Sequence, residues 1–376
     1  MAGIYIHIPF CKQACTYCNF HFATSLRYKD EVISAIIKEG ELRKNYLQGK
    51  TVDTIYFGGG TPSLLSALEV KEIVSMLSHH YLLDDSMEIT LEANPDDLSK
   101  KYLEELKNGS PINRLSVGIQ SFLQEDLKYM NRSHSAEESE TCLKTIEDLG
   151  FENYSMDLIF GVPTCSDKHW ISNLERTLEF NPTHLSVYAL TVEENTPLKK
   201  LIASSKLPAP FDESQVNQYL IAQEILTKGR YEQYEISNYS KPGFISKHNS
   251  NYWKSIDYLG LGPSAHSFNG ISRSWNIANN KKYIDAIQSN SDSFNESENL
   301  TAEDQLNEYI MTRLRTIWGV DPKELKTKSL DYSNGFISKA ELFIAQKEMT
   351  IKNDKYLLTS KGQLIADQIS ADLFVL

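Results

Sequence analysis

Long apolar runs are missing from this sequence of 376 residues: nowhere do about 18 apolar residues follow one another, the length a membrane-spanning helix requires. The N-terminus enters a strand-like run at once, so neither a span nor a signal peptide is expected. Cysteine is scarce, five in all, and three of the five are clustered, which is not the spread of a disulfide framework. A basic excess is absent as well. Lys and Arg number 38 against 50 Asp and Glu, a net charge of -12, which argues against nucleic acid as the main partner. What remains is ordinary globular composition, 41% hydrophobic and 23% charged, with length enough for one large domain and a small one. The cytosol is the expected compartment.

The clustered thiols are Cys11, Cys15 and Cys18, directly after a short apolar run, Ile4 to Phe10, that reads as a strand. Three thiols on one loop at a strand's end suit a soft metal centre. A structural zinc needs four protein ligands, and His21 is the nearest fourth candidate. An iron-sulfur cluster held by only three cysteines would keep one iron open, where the amino and carboxylate groups of S-adenosylmethionine can sit. Cys142, in a helical pattern, and Cys165, in a loop, read as small buried or incidental thiols.

From residue 4 to about 190, apolar strands alternate with helical segments, the signature of βα units and a parallel sheet. Strands are expected at Ile4 to Phe10, Val52 to Phe57, Met87 to Glu92, Arg114 to Ile119, Asn153 to Phe160 and His184 to Leu190. The expected fold class is α/β, a partial (β/α)6 barrel of the TIM type, though an open doubly wound sheet would give the same order. Either way chemistry belongs at the strands' C-terminal ends. Those ends carry Gly58-Gly59-Gly60-Thr61, then Glu92, Gln120 and Asp157, with Arg132 following strand four. Taken singly, each polar residue is more often a surface or capping residue than a ligand. Together they offer carboxylates for ribose hydroxyls and an amine, and an arginine for a carboxylate.

YIHIPFC, the Cys-x3-Cys-x-Tyr-Cys run, GGGTP, LSVGIQS, MDLIFGVP and YEISNYxxPG are together similar to a radical S-adenosylmethionine (radical SAM) family: the oxygen-independent coproporphyrinogen III dehydrogenases, also called oxidases, and their relatives, the HemW-type haem chaperones. The resemblance implies a [4Fe-4S] cluster on Cys11, Cys15 and Cys18. It also implies S-adenosylmethionine contacts from Tyr5, Tyr17, Gly59, Gly60, Thr61, Glu92, Gln120, Arg132 and Asp157. One departure matters. The dehydrogenases have a further cysteine two positions after the third, where this chain has Phe20. That points to the chaperone branch and away from oxidative decarboxylation, which stays as the alternative.

After residue 190 the rhythm stops. Residues 191–212 read as a loop, followed by a helix from Glu213 to Lys228 and the aromatic strand YEQYEISNY. Next, His248-Asn249-Ser250-Asn251-Tyr252-Trp253 resembles a haem-binding signature, implying His248 as an axial iron ligand, with Tyr252 and Trp253 as faces for the porphyrin and Lys247 and Lys254 near its propionates. The plainer reading has His248 hydrogen-bonded in the core. YLGLGPSAH, through His266, reads as a tight turn whose histidine is structural, and residues 290–300 as a polar linker. From residue 301, helices followed by a hairpin turning at Asn353-Asp354 suggest a small winged-helix-like domain. It carries ten Lys and Arg against eleven Asp and Glu, so it lacks a basic face for DNA and reads as a cover or docking module. The expected division is 1–190, 191–289, 290–300 and 301–376. The expected partners are haem and an unidentified acceptor protein, a respiratory protein being one candidate.

Overall fold

Alternation along the first strand, β1 (Ala2–Ile8), sets the architecture: Ala2, Ile4, Ile6 and Ile8 are buried on one face, while Tyr5 and His7 point to the other. The computed structural model, which describes residues 1–328 and 330–374, continues this strand into a large sheet. β2 (Val52–Gly59), β3 (Leu83–Ala93), β4 (Arg114–Gln120), β5 (Tyr154–Phe160) and β6 (His184–Ala189) follow in parallel, each beside its predecessor. Helices Lys29–Leu42, Ala67–His80, Lys100–Gly109, Ala136–Asp148 and Asp167–Phe180 fall between them. Val32, Ile36, Val70, Ile73, Trp170 and Leu174 pack with Ile4, Ile55 and Leu91 in one core. Burying each such side chain stabilises by about 1.5–3 kcal/mol. Helix starts are written locally: Ser66 with Glu69, and Ser135 with Glu138, form capping boxes that satisfy otherwise orphaned N–H groups.

The six parallel strands do not close on themselves. β6 pairs with β8 (Asn238–Ser240), which turns back as a hairpin with β7 (Glu232–Glu235), and β1 pairs in parallel with β9 (Tyr258–Leu261). β10 (His266–Phe268), β11 (Ser272–Asn276) and β12 (Asn295–Asn299) extend that second side in antiparallel fashion. The result is the expected partial barrel with a curved arm on either side.

Three expectations change here. The 191–212 stretch contains a helix, Pro197–Ala203, started by Thr196 as N-cap and Pro197 at the first position. The glycine-rich segment ending at His266 opens as strand β9 and only then makes the expected turn, at 262–265. The polar 290–300 stretch is no free linker: it supplies β12, an edge strand whose Glu296 and Glu298 keep that edge charged.

Residues 306–374 bury a second core around Leu306, Ile310, Phe336, Tyr356 and Ile369. Helices Ala302–Leu314, Pro322–Lys328 and Leu330–Ala345 precede a hairpin of β13 (Met349–Lys352) and β14 (Lys355–Leu358). Asn353 and Asp354 both take left-handed φ values, 52° and 61°, as a two-residue hairpin turn requires. Ser329, inside the helix expected up to Leu330, lies outside the described residues. This unit is tied to the β7 edge by backbone bonds from Ile236 N–H to Arg315 O and from Ile317 N–H to Tyr234 O. Among the described residues no helix is long and apolar enough to cross a membrane.

Candidate functional site

The loop after β1 is held from several sides. Cys11 N–H donates to Ala23 O, Ala23 N–H to Pro9 O, and Thr16 N–H to Met130 O. Under it, Gly60 N–H donates to Ile8 O at 2.9 Å. A Cβ at Gly60 would lie 2.6 Å from Phe10 O, and Gly59 has φ +106°, so only glycines let the end of β2 come this close to the cysteine loop. Cys11, Cys15 and Cys18 line one cavity of about 1190 Å³ at the C-terminal ends of the strands. Tyr17, Gly59, Gly60, Thr61, Glu92, Gln120, Arg132 and Asp157 share its wall.

Electrostatics favour a cationic occupant beside the thiols. Burial pushes the Cys11 thiol up to about 11, and the neighbouring Cys18 and Cys15 push it further, so without a metal Cys11 resists ionising. Burial raises Cys18 as well. Metal ions would reverse that, since they deprotonate the thiols that coordinate them. Arg132 reaches Cys15 Sγ at 3.5 Å and Tyr17 Oη at 3.4 Å, and donates to Asn94 Oδ1 at 2.6 Å and Gly118 O at 3.0 Å. Its buried Nε has no hydrogen-bond partner among the described residues, a donor left over for a ligand.

Deeper in the barrel, burial raises Glu92 to about 7, and nearby Asp157 adds to the shift, while Tyr56 Oη–H donates to the carboxylate at 2.8 Å. Asp157 is likewise raised by burial and accepts from Ser116 and Ser155. Gln120 closes β4 at φ +64°, an unfavourable conformation for a side chain of its kind and typical of functional sites.

His21 is turned away from the cysteines: its Nε2 bonds Asn280 Oδ1 at 2.8 Å. Among the described residues no three His, Cys, Asp or Glu side chains gather around a single-ion position, so the zinc alternative finds no tetrahedral cage. A four-iron cluster spreads its cysteines over separate irons and does not ask for one.

Two expected residues lie elsewhere. Tyr5 is off the cavity, bonded through Oη to His7 Nδ1 at 3.2 Å. His248 lies on the other side of the barrel from the cysteine loop. It sits on the short helix Lys247–Trp253, which plugs the N-terminal end of the barrel, against Gly3 and Thr54. Its Nδ1 bonds Thr54 Oγ1 and its Nε2 bonds Tyr252 Oη, each at 2.9 Å, while its backbone N–H donates to Glu88. Both ring nitrogens are engaged by hydroxyls and the residue is 2% exposed, so binding an iron would require one of these bonds to open. Trp253 and Lys254 pair instead with Arg315 and Trp318. Cys142 and Cys165 are buried and off the cavity.

Sequence reading missed the cavity's other contributors. Tyr56, Ser116 and Ser186 occupy inward positions of β2, β4 and β6 and were open to period-2 counting from Glu92 and Asp157. Gln363 to Gln368, from the C-terminal unit, close the cavity's mouth and gave no local signal.

Residues 5–176 match the model of the Radical SAM superfamily. The chain is 33% identical over 374 residues to a protein of Bacillus subtilis named Heme chaperone HemW, with 98% of each chain covered. It is 36% identical over 267 residues to the Escherichia coli protein of the same name, covering 70% of this chain and 69% of that one. The solved structure of E. coli coproporphyrinogen III oxidase, HemN, described as a radical SAM enzyme, superimposes with a TM-score of 0.84 at 22% identity over 100% of this chain and 90% of that one, a likeness of fold. The superfamily implies a [4Fe-4S] cluster and S-adenosylmethionine, and the trio of thiols beside a glycine turn and a spare arginine donor is a set that fits them. The chain belongs to the HemW family of radical SAM proteins.

Proposed function

We propose that this protein binds haem and hands it to an acceptor protein, with Cys11, Cys15 and Cys18 holding the cluster and the strand-end residues holding S-adenosylmethionine. Bound there, the cluster would supply an electron to the sulfonium of S-adenosylmethionine. The chain's own residues position it. Arg132 meets a carboxylate with its unpartnered Nε, and Glu92, Gln120 and Asp157 receive ribose hydroxyls and an amine. Gly59, Gly60 and Thr61 let the backbone approach closely, and Tyr17 walls the side by Cys15.

Phe20 carries the choice of function. It stands where the dehydrogenases resembled by the motifs have a cysteine, and its ring is 67% exposed on the cavity's wall. An aromatic ring held in water at a cavity mouth is a surface for a flat apolar ligand or a protein partner, not an acid, base or thiol for turnover. The cavity's roughly 1190 Å³ also exceeds the ~300–1,000 Å³ usual for a single small ligand, which leaves room beyond one cofactor. The C-terminal unit, which lacks a basic face, is the natural side for the acceptor.

The test is anaerobic reconstitution followed by two parallel assays. Ferric protoporphyrin IX is expected to give a Soret band that saturates near one equivalent, and coproporphyrinogen III with S-adenosylmethionine and reductant to release no carbon dioxide. Sustained release of carbon dioxide by the wild-type protein would overturn the proposal.

A further inference from the structure

Behind Asp157 the barrel wall carries a line of polar groups that holding a cofactor at the strand ends does not by itself require. Asp157 and Ser155 are two residues apart on β5 and share its inward face; on the next strand Ser155 pairs in register with His184, and Asp157 with Ser186. Ser155 Oγ lies 3.2 Å from Asp157 Oδ1 and 2.8 Å from His184 Nδ1. His184 Nε2 lies 2.7 Å from Oη of Tyr234, which β7 brings in from beyond β8. Ser155, His184 and Tyr234 are each 0% exposed, so they must satisfy one another.

Counting donors fixes the direction of this chain. Tyr234 Oη has no hydrogen-bond partner but His184 Nε2 among the described residues, and leaving a buried hydroxyl proton unpaired costs about 1–3 kcal/mol, so Nε2 accepts. Burial, and Arg114 after it, hold His184 well below its ordinary range, so the ring is neutral and its one proton is on Nδ1. Nδ1–H then donates to Ser155 Oγ, which leaves the serine's own proton for Asp157. Ser186 Oγ, the other group in reach of Ser155, is farther at 3.4 Å and itself turns to Asp157.

Asp157 has use for that proton. Burial raises it, while Ser186, Arg114, Ser116 and Ser155 pull it back, and Glu92 nearby competes with it for ionisation. Tyr56 and Tyr188 face it as well. Glu92 has only Tyr56 Oη–H and Gly59 N–H, so of the two carboxylates Asp157 is the better supplied with donors. The far end of the chain is anchored too: Tyr234 O accepts from Ile317 N–H at 3.0 Å, and its ring centroid lies 6.4 Å from that of Trp318.

We infer that His184 is a positioning residue of the S-adenosylmethionine site: with its tautomer set by Tyr234, it directs the Ser155 hydroxyl onto the back of Asp157 and so holds that carboxylate as an acceptor for the ligand. The inference rests on the cofactor role of Asp157 proposed above and adds the residues behind it.

The experiment titrates S-adenosylmethionine by calorimetry, over a range of pH, into cluster-loaded full-length wild type, Asp157→Asn, Ser155→Ala, His184→Phe, His184→Asn and Tyr234→Phe at matched cluster content. Ser155→Ala and His184→Phe are expected to lower affinity several-fold and to move the acid limb of the affinity profile to higher pH, because losing a donor raises Asp157. His184→Asn, whose amide can donate from the Nδ1 position, should recover much of both, which a purely structural histidine would not show. Tyr234→Phe frees the ring to take the other tautomer and should act in the same direction as His184→Phe. Nitrogen-15 spectra of the wild-type His184 ring, which need no variant to fold, should place its proton on Nδ1. A proton on Nε2, or unchanged affinity and pH profile in Ser155→Ala while Asp157→Asn binds weakly, overturns the inference. Unchanged affinity in Asp157→Asn overturns instead the cofactor role on which it rests.

Discussion

Arg132 donates from Nη1 toward Cys15 Sγ at 3.5 Å, so a cation on the cavity's wall sits against the middle thiol of the cysteine loop. The same guanidinium is tied to Asn94 and Gly118 O, which fixes it to β4 and the end of β3. Loop, strands and arginine thus form one rigid rim.

That rim predicts the behaviour of the thiols. Alanine at Cys11, Cys15 or Cys18 should abolish or greatly weaken cluster assembly, because two thiolates cannot cage four irons in the same way. Alanine at Cys142 or Cys165 should leave the cluster intact. Iron, sulfide and visible absorption after anaerobic reconstitution check this, and a full-strength cluster in Cys15→Ala would contradict the assignment.

Arg132→Ala and Asp157→Ala should each weaken S-adenosylmethionine binding roughly tenfold or more, the cost of one charged hydrogen bond at about 1.5–3 kcal/mol. Calorimetry on cluster-loaded protein measures it. Because Arg132 also touches Cys15, cluster content is to be matched first. Unchanged affinity in both variants would remove these residues from the cofactor site.

Glu92 gives a pH signature. Its folded value of about 7 exceeds the ordinary 4.5, so the folded state holds the proton more tightly than the unfolded chain between those values. Stability from this group is therefore greatest below pH 4.5 and declines as pH rises toward 7. In protein free of cluster and cofactor, Glu92→Gln should be stabilised relative to wild type at pH 8 and show less advantage at pH 5. Chemical denaturation at the two pH values reads the difference, and an equal offset at both would show that Glu92 is ionised throughout.

How much of this was legible in the sequence follows from where each signal lives. Parallel strands buried on both sides are written as apolar runs, and their ends announce themselves by glycine and polar residues, so β1 to β6 and the residues from Cys11 to Asp157 could be read in order. Tertiary facing could not. The motif beginning at His248 records six residue types in a row and says nothing of the end of the barrel they close; Thr54 and Tyr252 decide that. The polar run before Asn299 lacks hydrophobic alternation, yet it pairs because β11 offers a free edge.

His248→Ala should act on stability. The ring is packed 5.0 Å from Tyr56 and bonded at both nitrogens, and its loss leaves Thr54 Oγ1 and Tyr252 Oη without their partner, a cost of about 2–4 kcal/mol. Burial also lowers its pKa to about 3, against 6.5 unfolded. The unfolded chain thus takes up the proton first, and the stability this neutral ring supplies is whole above pH 6.5 and lost as pH falls toward 3. The variant should lose part of the wild type's acid sensitivity in that window, measured by thermal unfolding at stepped pH.

The last prediction concerns the cavity's mouth. Gln363 to Gln368 cover it, and side chains fasten them there: Arg315 bonds Asp367 at 3.0 Å and Glu235 at 3.3 Å, while Gln363 accepts from Tyr219 Oη–H and from Gln223. Asp367 is 90% exposed, so its pair with Arg315 contributes little; Glu235 is 1% exposed, and that bond is the stronger tether. Removing Arg315 frees the cover at one end and leaves Glu235 buried without its cation. Arg315→Ala should therefore raise hydrogen exchange in residues 360–374 and speed release of S-adenosylmethionine several-fold, with less effect from Asp367→Ala. Hydrogen-exchange mass spectrometry and stopped-flow release measure the two quantities. Exchange and release unchanged in Arg315→Ala would mean that the backbone bonds of Ile236 and Ile317 hold the C-terminal unit in place by themselves.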